Sequence, residues 1–374
     1  MTTSIEAPRG LKNVIVTDTA VGDVLGAEGR FHYRGYDAVH LATNCTFEQV
    51  WFLMVHKRLP DAGSAELAAF TREVGALREL PSEVEQLIVD LAQEGANPLH
   101  VLRTCLSAIG AVQPIRPTYD LDPEARIADL LRIAAVTPTI LAAAYRRTQG
   151  LDPIAPNPTS THATDYLRMA TGRMPTPNAA RLIEQYLIAT IDHGFNNSTF
   201  TARVVASSGS DVASCIVAAI GGFLGPLHGG APDRALQALD DIGDPANTDV
   251  WVRRQIATGA KIMGFGHAVY RTHDPRAELL KRLLAPYDDD LVHRAFATEA
   301  AIERALADLK PGTTLYANVE FYAGVAISIA GLPPEMFTPT FAVARVVGWA
   351  ANVDEQADQA KIIRPIARYT GVLH

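Results

Sequence analysis

The spacing of apolar residues in this chain follows the period of an α-helix, and this restricts the fold more than any other feature. The stretch PSEVEQLIVDLAQEG carries Ser82 and Glu85 in a capping-box pattern, then an apolar face, then a stop at Gly95. Residues 125–147 and 294–308 repeat the same period. The pattern therefore predicts a mostly α-helical protein.

Two further helix starts and one region of strands complete this prediction. Asn97-Pro98 and Thr176-Pro177 each place a capping side chain ahead of proline, which is favoured at the first helical position. Alternation with period two is scarce, and residues 14–33 are the segment that predicts short strands. We expect an all-α fold with a small strand region near the amino terminus.

Charge and composition exclude several functional classes. The formal net charge of −8 disfavours binding to nucleic acid or to an anionic membrane, and no uncharged run of about 18 apolar residues predicts a membrane span. The amino terminus, MTTSIEAPRG, lacks the basic start and apolar stretch of a secretory signal, so we expect a cytoplasmic protein. If the substrates are anions, their binding site must concentrate positive charge locally.

Three histidines lie beside glycine in segments that interrupt helical sequence. They are His193 in IDHGFNNST, His228 in GPLHGGAPD and His267 in GFGHAVYRTHDPR. Glycine allows a ligand to approach the backbone closely, and histidine serves either as a structural hydrogen-bonding residue or in catalysis. Metal-ligand spacing is missing, and the three scattered cysteines form neither a CxxC motif nor a disulfide pattern. We therefore expect no metal and no permanently bound cofactor.

Arginines supply the candidate positive charge. Arg271 and Arg276 follow His267 closely, and Arg364 lies near the carboxyl end. Arg345 is embedded in the apolar run FTPTFAVARVVGWAA, where a guanidinium group must be paired or must bind an anion. Several arginines in one cleft would suit a dicarboxylate, because the guanidinium group matches carboxylate geometry. The residues alone predict a His/Arg anion site and leave the reaction open.

At these residues the chain resembles the citrate synthase family, over almost its whole length. The segments EGRFHYRGYD, DHGFNNST, GPLHGGAPDRAL, GFGHAVYRTHDPRA, NVEFYAGV, MFTPTFAVARVVGW and IIRPIARYTG match that family's motifs in the family's order. The resemblance implies a nearly all-helical fold in which a large domain (1–228 and 327–374) and a small domain (229–326) enclose the active site in a cleft. It also implies the short dimeric type of the family, without the extra amino-terminal domain of the hexameric type.

The resemblance also implies substrates and residue roles. The substrates would be oxaloacetate and acetyl-CoA, with no metal. His228 would hydrogen-bond the thioester oxygen, His267 would protonate the oxaloacetate ketone and Glu320 would be the base. His193, Arg276 and Arg345 would hold the oxaloacetate carboxylates. Arg364 would reach the site of the partner subunit in a homodimer, and Arg271 would contact a coenzyme A phosphate.

One departure from the family pattern keeps alternatives open. The family's usual base is aspartate in an NVD motif, where this chain has Glu320 in NVE. The extra methylene moves the carboxylate by more than about 1 Å unless the backbone adjusts. Acetyl-CoA (citrate synthase) and propionyl-CoA (2-methylcitrate synthase) both remain possible donors, and a non-catalytic homologue that binds oxaloacetate or CoA is the third reading.

Overall fold

The structure is a computed structural model that describes residues 5–225, 228, 231–309 and 315–372, with the backbone alone for 231–233. The predicted domain boundary at residue 229 and the chain ends lie outside this description. So do four of the six residues in the GPLHGG motif, although His228 itself is described.

A small antiparallel sheet lies near the amino terminus. Two of its strands fall within residues 14–33, where short strands are expected. Its strands are β1 (Gly22–Leu25), β2 (Arg30–Tyr33) and β3 (Tyr36–Asp37), in that order, with Gly22 opposite Tyr33. Tyr33 is buried, and its hydroxyl lies 3.1 Å from the carbonyl oxygen of Asp192. This contact fixes the sheet beside the residue that precedes His193.

Helices form the rest of the regular structure, which confirms the all-α prediction. The first ten are α1 (Ala38–Asn44), α2 (Phe47–His56), α3 (Ala65–Ala76), α4 (Ser82–Gln93), α5 (Pro98–Val112), α6 (Pro123–Thr148), α7 (His162–Thr171), α8 (Pro177–Thr190), α9 (Asn197–Ala206) and α10 (Val212–Phe223). The remaining ones are α11 (Ala231–Ile242), α12 (Thr248–Ala257), α13 (Pro275–Leu284), α14 (Asp290–Leu309), α15 (Val319–Ile329) and α16 (Phe337–Gln359).

Two of the three predicted helix starts are confirmed by their caps. The Asn97 side chain accepts from the N–H of Leu99 at 2.9 Å, and the Thr176 side chain accepts from the N–H of Ala179 at 3.2 Å. Each satisfies a backbone donor that the first helical turn cannot satisfy by itself.

The capping box predicted at Ser82 and Glu85 is wrong. The helix α4 already includes Ser82, Pro81 is its N-cap residue, and no side chain caps it. The Ser82 hydroxyl instead lies 3.2 Å from the Glu83 carboxylate. The predicted stop is correct, since Gly95 follows the helix with a φ of +73°, a conformation that glycine adopts without strain.

The long helices α6 and α16 form the centre of the core. The helix α6 is long and apolar enough to span a membrane, with a mean hydropathy of 1.6, but 78% of that window is buried against neighbouring helices. Along α16, residues 337–354 are all buried. Because Arg345 falls in this stretch, its guanidinium group is held inside the protein.

A network of ion pairs ties α16 to α6 and α9. Arg126 Nε donates to Asp354 at 2.8 Å, and Arg126 Nη2 donates to Asp358 at 2.5 Å. Arg203 on α9 pairs with Glu355. These pairs fix the last turns of α16 against α6 and α9.

The helices α11 to α15 pack largely on one another, and α16 then returns to the helices that precede them. The helix α15 contacts both α11 and α13, and it also touches α8 and α16. Residues carried by α13 and α15 therefore face residues carried by α16 and by the loop before α9.

Candidate active site

A cavity of about 680 Å³ lies where β1, α13, α15 and α16 meet. It brings together side chains that are more than 150 residues apart in the sequence. Six of the eight predicted site residues line it: His193, His228, His267, Arg276, Glu320 and Arg345.

His267 lies on the loop before α13, and its backbone surroundings fix its proton. Its Nδ1 atom accepts from the backbone N–H groups of Val269 at 3.0 Å and Tyr270 at 3.1 Å. The neutral imidazole therefore carries its proton on Nε2. Burial first, and then the positive charge of Arg276, lower the pKa of His267 to about 4. Near neutral pH this ring is an uncharged donor.

Arg276 lies beside this donor and is held by an aspartate on the same helix turn. Its Nε and Nη2 atoms donate to the two carboxylate oxygens of Asp274 at 3.0 and 2.7 Å. Arg276 Nη2 is 3.3 Å from His267 Nε2. Because both of these nitrogens carry protons, an acceptor such as a keto or carboxylate oxygen placed beside the pair can take a hydrogen bond from each.

Arg345 supplies a second positive charge from α16. It is 2% exposed, its Nε donates to the carbonyl oxygen of Thr190 at 3.0 Å, and its guanidinium carbon lies 4.7 Å from the centre of the Phe341 ring. Within the described residues its two terminal nitrogens make no hydrogen bond. A buried guanidinium group in this state is suited to bind an anion.

His193 lines the same cavity from the loop that follows α8. Its Nε2 atom lies 2.9 Å from the hydroxyl of Tyr270, and its ring centre is 5.3 Å from that of His267. Burial first, and then the positive charges of Arg276 and Arg345, lower the pKa of His193 well below its ordinary value. The ring is therefore neutral and can donate one hydrogen bond.

His228 contacts the hydroxyl group of Ser198, which has two acceptors within reach of its proton. Its Nε2 atom is 2.7 Å from Ser198 Oγ, which accepts from Trp349 Nε1 at 3.1 Å and lies 2.9 Å from Asn196 Oδ1. The serine proton can go to either His228 or Asn196. Burial first, and then the charge of Arg345, lower the pKa of His228 to about 4.

Glu320 lies in the first turn of α15, and its backbone is fixed by its neighbours. The Asn318 side chain accepts from the Glu320 N–H at 3.0 Å and donates to the carbonyl oxygen of Gly266 at 2.9 Å. The N–H of the preceding residue, Val319, donates to Asp274 at 3.0 Å. These hydrogen bonds hold the backbone of Glu320 in place. A backbone shift that compensates for the extra methylene of glutamate, relative to aspartate, is therefore unfavourable.

The Glu320 carboxylate has the electrostatics of a base. It makes no hydrogen bond within the described part of the chain. Burial raises the pKa of Glu320 to about 7, while Arg276 lowers it and Asp274 raises it. A pKa near the working pH is favourable for general base catalysis, because the group is ionised and still takes up a proton readily.

A second cavity of about 370 Å³ adjoins the first and shares Lys261, Asn318 and Glu320 with it. Its wall is the segment 259–265 together with apolar side chains of α12 and α14. In that segment Gly264 has a φ of +81°, and a side chain there would meet Phe321 at 3.0 Å. The cavity suits a largely apolar group that reaches toward Glu320.

The two other predicted site residues do not line either cavity. Arg271 is exposed beyond His267, and its backbone N–H donates to the carbonyl oxygen of Gly26 at 3.0 Å. Arg364 is exposed on the irregular segment that follows α16. Within one subunit neither guanidinium group joins the six residues of the site.

Sequence reasoning missed three residues that arrange this site: Asn318, Tyr270 and Ser198. Asn318 stands two residues before Glu320, where an N-cap residue is expected, so its cap was detectable. Tyr270 contacts His193, which is 77 residues away, and Ser198 contacts His228, which is 30 residues away. No local sequence pattern indicates contacts of this kind.

The arrangement combines neutral imidazole donors, buried arginines and a partly protonated carboxylate. Among the described residues no group of three His, Cys, Asp or Glu side chains could hold a metal ion. The arginines can bind a dicarboxylate, the imidazoles can stabilise negative charge on oxygen, and the carboxylate can remove a proton.

Comparison with known proteins agrees with this chemistry. Residues 10–366 match the family model described as citrate synthase, C-terminal domain. A citrate synthase from Deinococcus radiodurans is 38% identical over 368 residues, which cover 97% of this chain and 95% of the relative. A 2-methylcitrate synthase from Mycobacterium tuberculosis is 38% identical over 363 residues, 97% of this chain and 90% of the relative.

Similarity extends to solved structures. The ternary complex of Thermoplasma acidophilum citrate synthase with carboxymethyl coenzyme A and oxaloacetate has a TM-score of 0.90 at 27% identity. The match covers 99% of this chain and 98% of that one.

Proposed function

Because the chain belongs to the citrate synthase family, we propose that it condenses acetyl-CoA with oxaloacetate and water to give citrate and CoA. This makes it an acyltransferase that converts the acyl group to an alkyl group on transfer. One observation carries the proposal: a half-buried carboxylate with a pKa of about 7 shares a cavity with neutral imidazoles and two buried arginines.

Oxaloacetate would bind first to the cationic side of the cavity. The terminal nitrogens of Arg345, the guanidinium group of Arg276 and the imidazole of His193 would hold its carboxylates. The ketone oxygen would then accept from His267 Nε2, whose proton is fixed there by the two backbone donors to Nδ1. These contacts orient one face of the ketone toward the acyl donor.

Acetyl-CoA would be activated between Glu320 and His228. Glu320 removes a proton from the thioester methyl group, and negative charge moves to the thioester oxygen. His228 stabilises that charge if the Ser198 hydroxyl donates a hydrogen bond to Nε2, because the neutral ring then carries its own proton on Nδ1. A donor of this kind contributes roughly 100-fold or more to such a step.

Carbon–carbon bond formation and hydrolysis complete the reaction. The enol carbon attacks the ketone carbon while His267 transfers its Nε2 proton to the ketone oxygen. Water then adds to the citryl-CoA thioester and gives a proton back to His267, while protonated Glu320 supplies the proton that CoA takes as it leaves. We infer that the large domain (1–228 and 327–374) and the small domain (229–326) close over the substrates and exclude water until the new bond exists. Arg271, exposed at the rim, would contact a CoA phosphate.

The homodimer is part of this proposal. Large apolar side chains are exposed on both terminal segments: Ile15 is 87%, Ile366 76% and Tyr369 71% exposed. We infer that these side chains belong to an interface between two copies of the chain. A second copy of the chain would cover it and bring Arg364 to the partner's active site.

The cysteines bear on the cellular location, and the proposed product bears on the pathway. All three cysteines are buried and unpaired, which suits a reducing compartment. We infer that the enzyme works in the cytoplasm, where it would supply citrate to the tricarboxylic acid cycle.

The length of Glu320 leaves one substrate question. One methylene in a pocket discriminates by about 10–200-fold, so propionyl-CoA and a 2-methylcitrate product are the second candidate. The Mycobacterium tuberculosis relative with that name is as similar to the chain as the Deinococcus radiodurans citrate synthase.

The test is CoA-thiol release with oxaloacetate, compared for acetyl-CoA and propionyl-CoA by kcat/KM. Preference for acetyl-CoA supports the proposal, and preference for propionyl-CoA replaces it with 2-methylcitrate synthase. Oxaloacetate binding without release from either thioester would identify a non-catalytic homologue. Glu320→Gln, purified in parallel, shows whether any release comes from a contaminant.

A further inference from the structure

Tyr270 contacts both imidazoles on the oxaloacetate side of the cavity. Its backbone N–H donates to His267 Nδ1 at 3.1 Å, and its hydroxyl lies 2.9 Å from His193 Nε2. Its ring centre is 4.6 Å from that of His267 and 5.4 Å from that of His193. Because Tyr270 is 4% exposed, water has little access to this hydroxyl.

The hydroxyl contact permits two arrangements of protons. In the first, Tyr270 donates to Nε2, and the neutral His193 ring keeps its proton on Nδ1. In the second, His193 Nε2 donates to Tyr270, and the phenolic proton then has no acceptor among the described residues. A buried donor without an acceptor costs as much as a lost hydrogen bond, so the first arrangement is favoured.

A carboxylate ligand would favour the same arrangement. Within the described residues His193 Nδ1 has no hydrogen-bond partner, so it is the ring atom left for a ligand. A carboxylate accepts hydrogen bonds and repels a lone pair, so it binds the Nδ1–H form and disfavours the other form.

We propose that Tyr270 is a positioning residue that sets the tautomer of His193, so that Nδ1–H donates to a carboxylate of the substrate. This inference rests on the proposed function, which assigns His193 to an oxaloacetate carboxylate. One residue then fixes both imidazoles in complementary ways: its backbone N–H keeps the His267 proton on Nε2, and its hydroxyl keeps the His193 proton on Nδ1.

The first test observes the protons directly in the protein without substrate. Nitrogen-15 NMR of histidine-labelled protein distinguishes the two tautomers of each ring. We expect the Nδ1–H form for His193 and the Nε2–H form for His267. In Tyr270→Phe the backbone donor remains, so His267 keeps its form while His193 changes. A His193 ring already in the Nε2–H form in the unmodified protein would overturn the proposal.

The second test measures the consequence for substrate. Tyr270→Phe should weaken oxaloacetate binding roughly tenfold, the range for one hydrogen bond to a charged group, and leave the KM for the acyl-CoA unchanged. Tyr166→Phe is the matched control, because it loses a buried hydroxyl contact to Thr340 (2.8 Å) that is outside both cavities. An equal loss of oxaloacetate affinity in both variants would mean that Tyr270 has only a structural role and would overturn the proposal.

A double-mutant cycle separates action through His193 from direct action. In a His193→Ala background, Tyr270→Phe should have no further effect on oxaloacetate binding, and a full additional loss would overturn the proposal. Failure of the proposed function is distinguishable, since it would leave the NMR result intact while the unmodified protein binds no oxaloacetate.

Discussion

Arg203 and Arg345 are both buried in the packed surroundings of α16, yet their guanidinium groups are satisfied differently. All three nitrogens of Arg203 have acceptors within the protein, on Asn352, Gln356 and Glu355. Arg345 has one, the carbonyl oxygen of Thr190. The hydrogen bonds of the first arginine are satisfied within the fold, whereas the terminal nitrogens of the second are left for the proposed ligand.

The carboxylates show the same difference. Glu355 accepts from the Thr19 hydroxyl at 2.6 Å and from the Ala20 N–H at 2.8 Å, and these contacts and Arg203 lower the pKa of Glu355. Glu320 accepts no hydrogen bond within the described residues, and burial raises its pKa. Charges paired within the protein stabilise the fold, and charges without such partners mark the candidate active site.

Glu320→Gln should have the largest effect. The amide has similar size and cannot take the methyl proton, so we expect kcat to fall by about 10²–10⁴-fold, the usual contribution of a general base. Oxaloacetate binding should stay close to that of the unmodified protein. Thiol release and calorimetric binding measure the two quantities. Glu355→Gln is the matched change on the paired carboxylate, and retained turnover in Glu320→Gln would refute the assignment of the base.

Arg203→Leu should act on stability. Removing one partner of a buried ion pair leaves Glu355 and its neighbours without their donor, which costs about 3 kcal/mol of unfolding free energy. Urea denaturation measures this change. The kcat/KM of the folded variant should stay near its original value, and a selective loss of oxaloacetate affinity would contradict the division between the two arginines.

Arg345→Leu is the reciprocal change. Hydrogen bonds from a charged donor contribute about 1.5–3 kcal/mol, so oxaloacetate affinity should fall roughly 10- to 100-fold. The KM for the acyl-CoA should change little. Binding titrations check this expectation, and undiminished oxaloacetate affinity would mean that Arg345 has no ligand.

The smallest effect is the dependence on pH. Glu320 must be ionised to act, so kcat/KM should rise with pH to a plateau above its pKa of about 7 and be about tenfold lower at pH 6. The pKa values of His228 and His267, about 4, keep both rings neutral through this range. A profile that is flat from pH 6 to 8 would contradict the proposed base.

The same pKa has the opposite consequence for stability. Since folding raises the pKa of Glu320, the folded protein holds this proton more tightly than the unfolded chain does. The contribution to stability is present in acid and is lost as pH rises through about 7. In Glu320→Gln, the unfolding free energy measured as a function of pH should lack this decrease.

Local signals in the sequence explain which parts of the fold were predictable. Apolar periodicity and caps such as Asn97 act over one helical turn, so the helices could be predicted from neighbouring residues. The capping box at Ser82 failed because Pro81 takes the N-cap position, and a pattern of residue types does not fix the residue at which the chain enters the helix.

The candidate site was predictable through motifs, whereas its internal contacts were not. Arg345 was identifiable because a guanidinium group in an apolar run needs a partner. The pairing of Tyr270 with His193 depends on how the loop before α13 meets the loop after α8, and no local pattern encodes such a contact. The role of Arg364 depends on a second subunit and stays a prediction.

The hydrogen bonds of Asn318 have a consequence for how substrate range can change. One amide side chain joins the N–H of Glu320 to the residue directly before His267. These hydrogen bonds therefore fix the separation between His267, the proposed acid, and Glu320, the proposed base, without any contribution from Val24 and Phe341, which also line the cavity. Substitutions at Val24 or Phe341 can reshape the space for the acyl chain while the proton-transfer geometry is inherited unchanged.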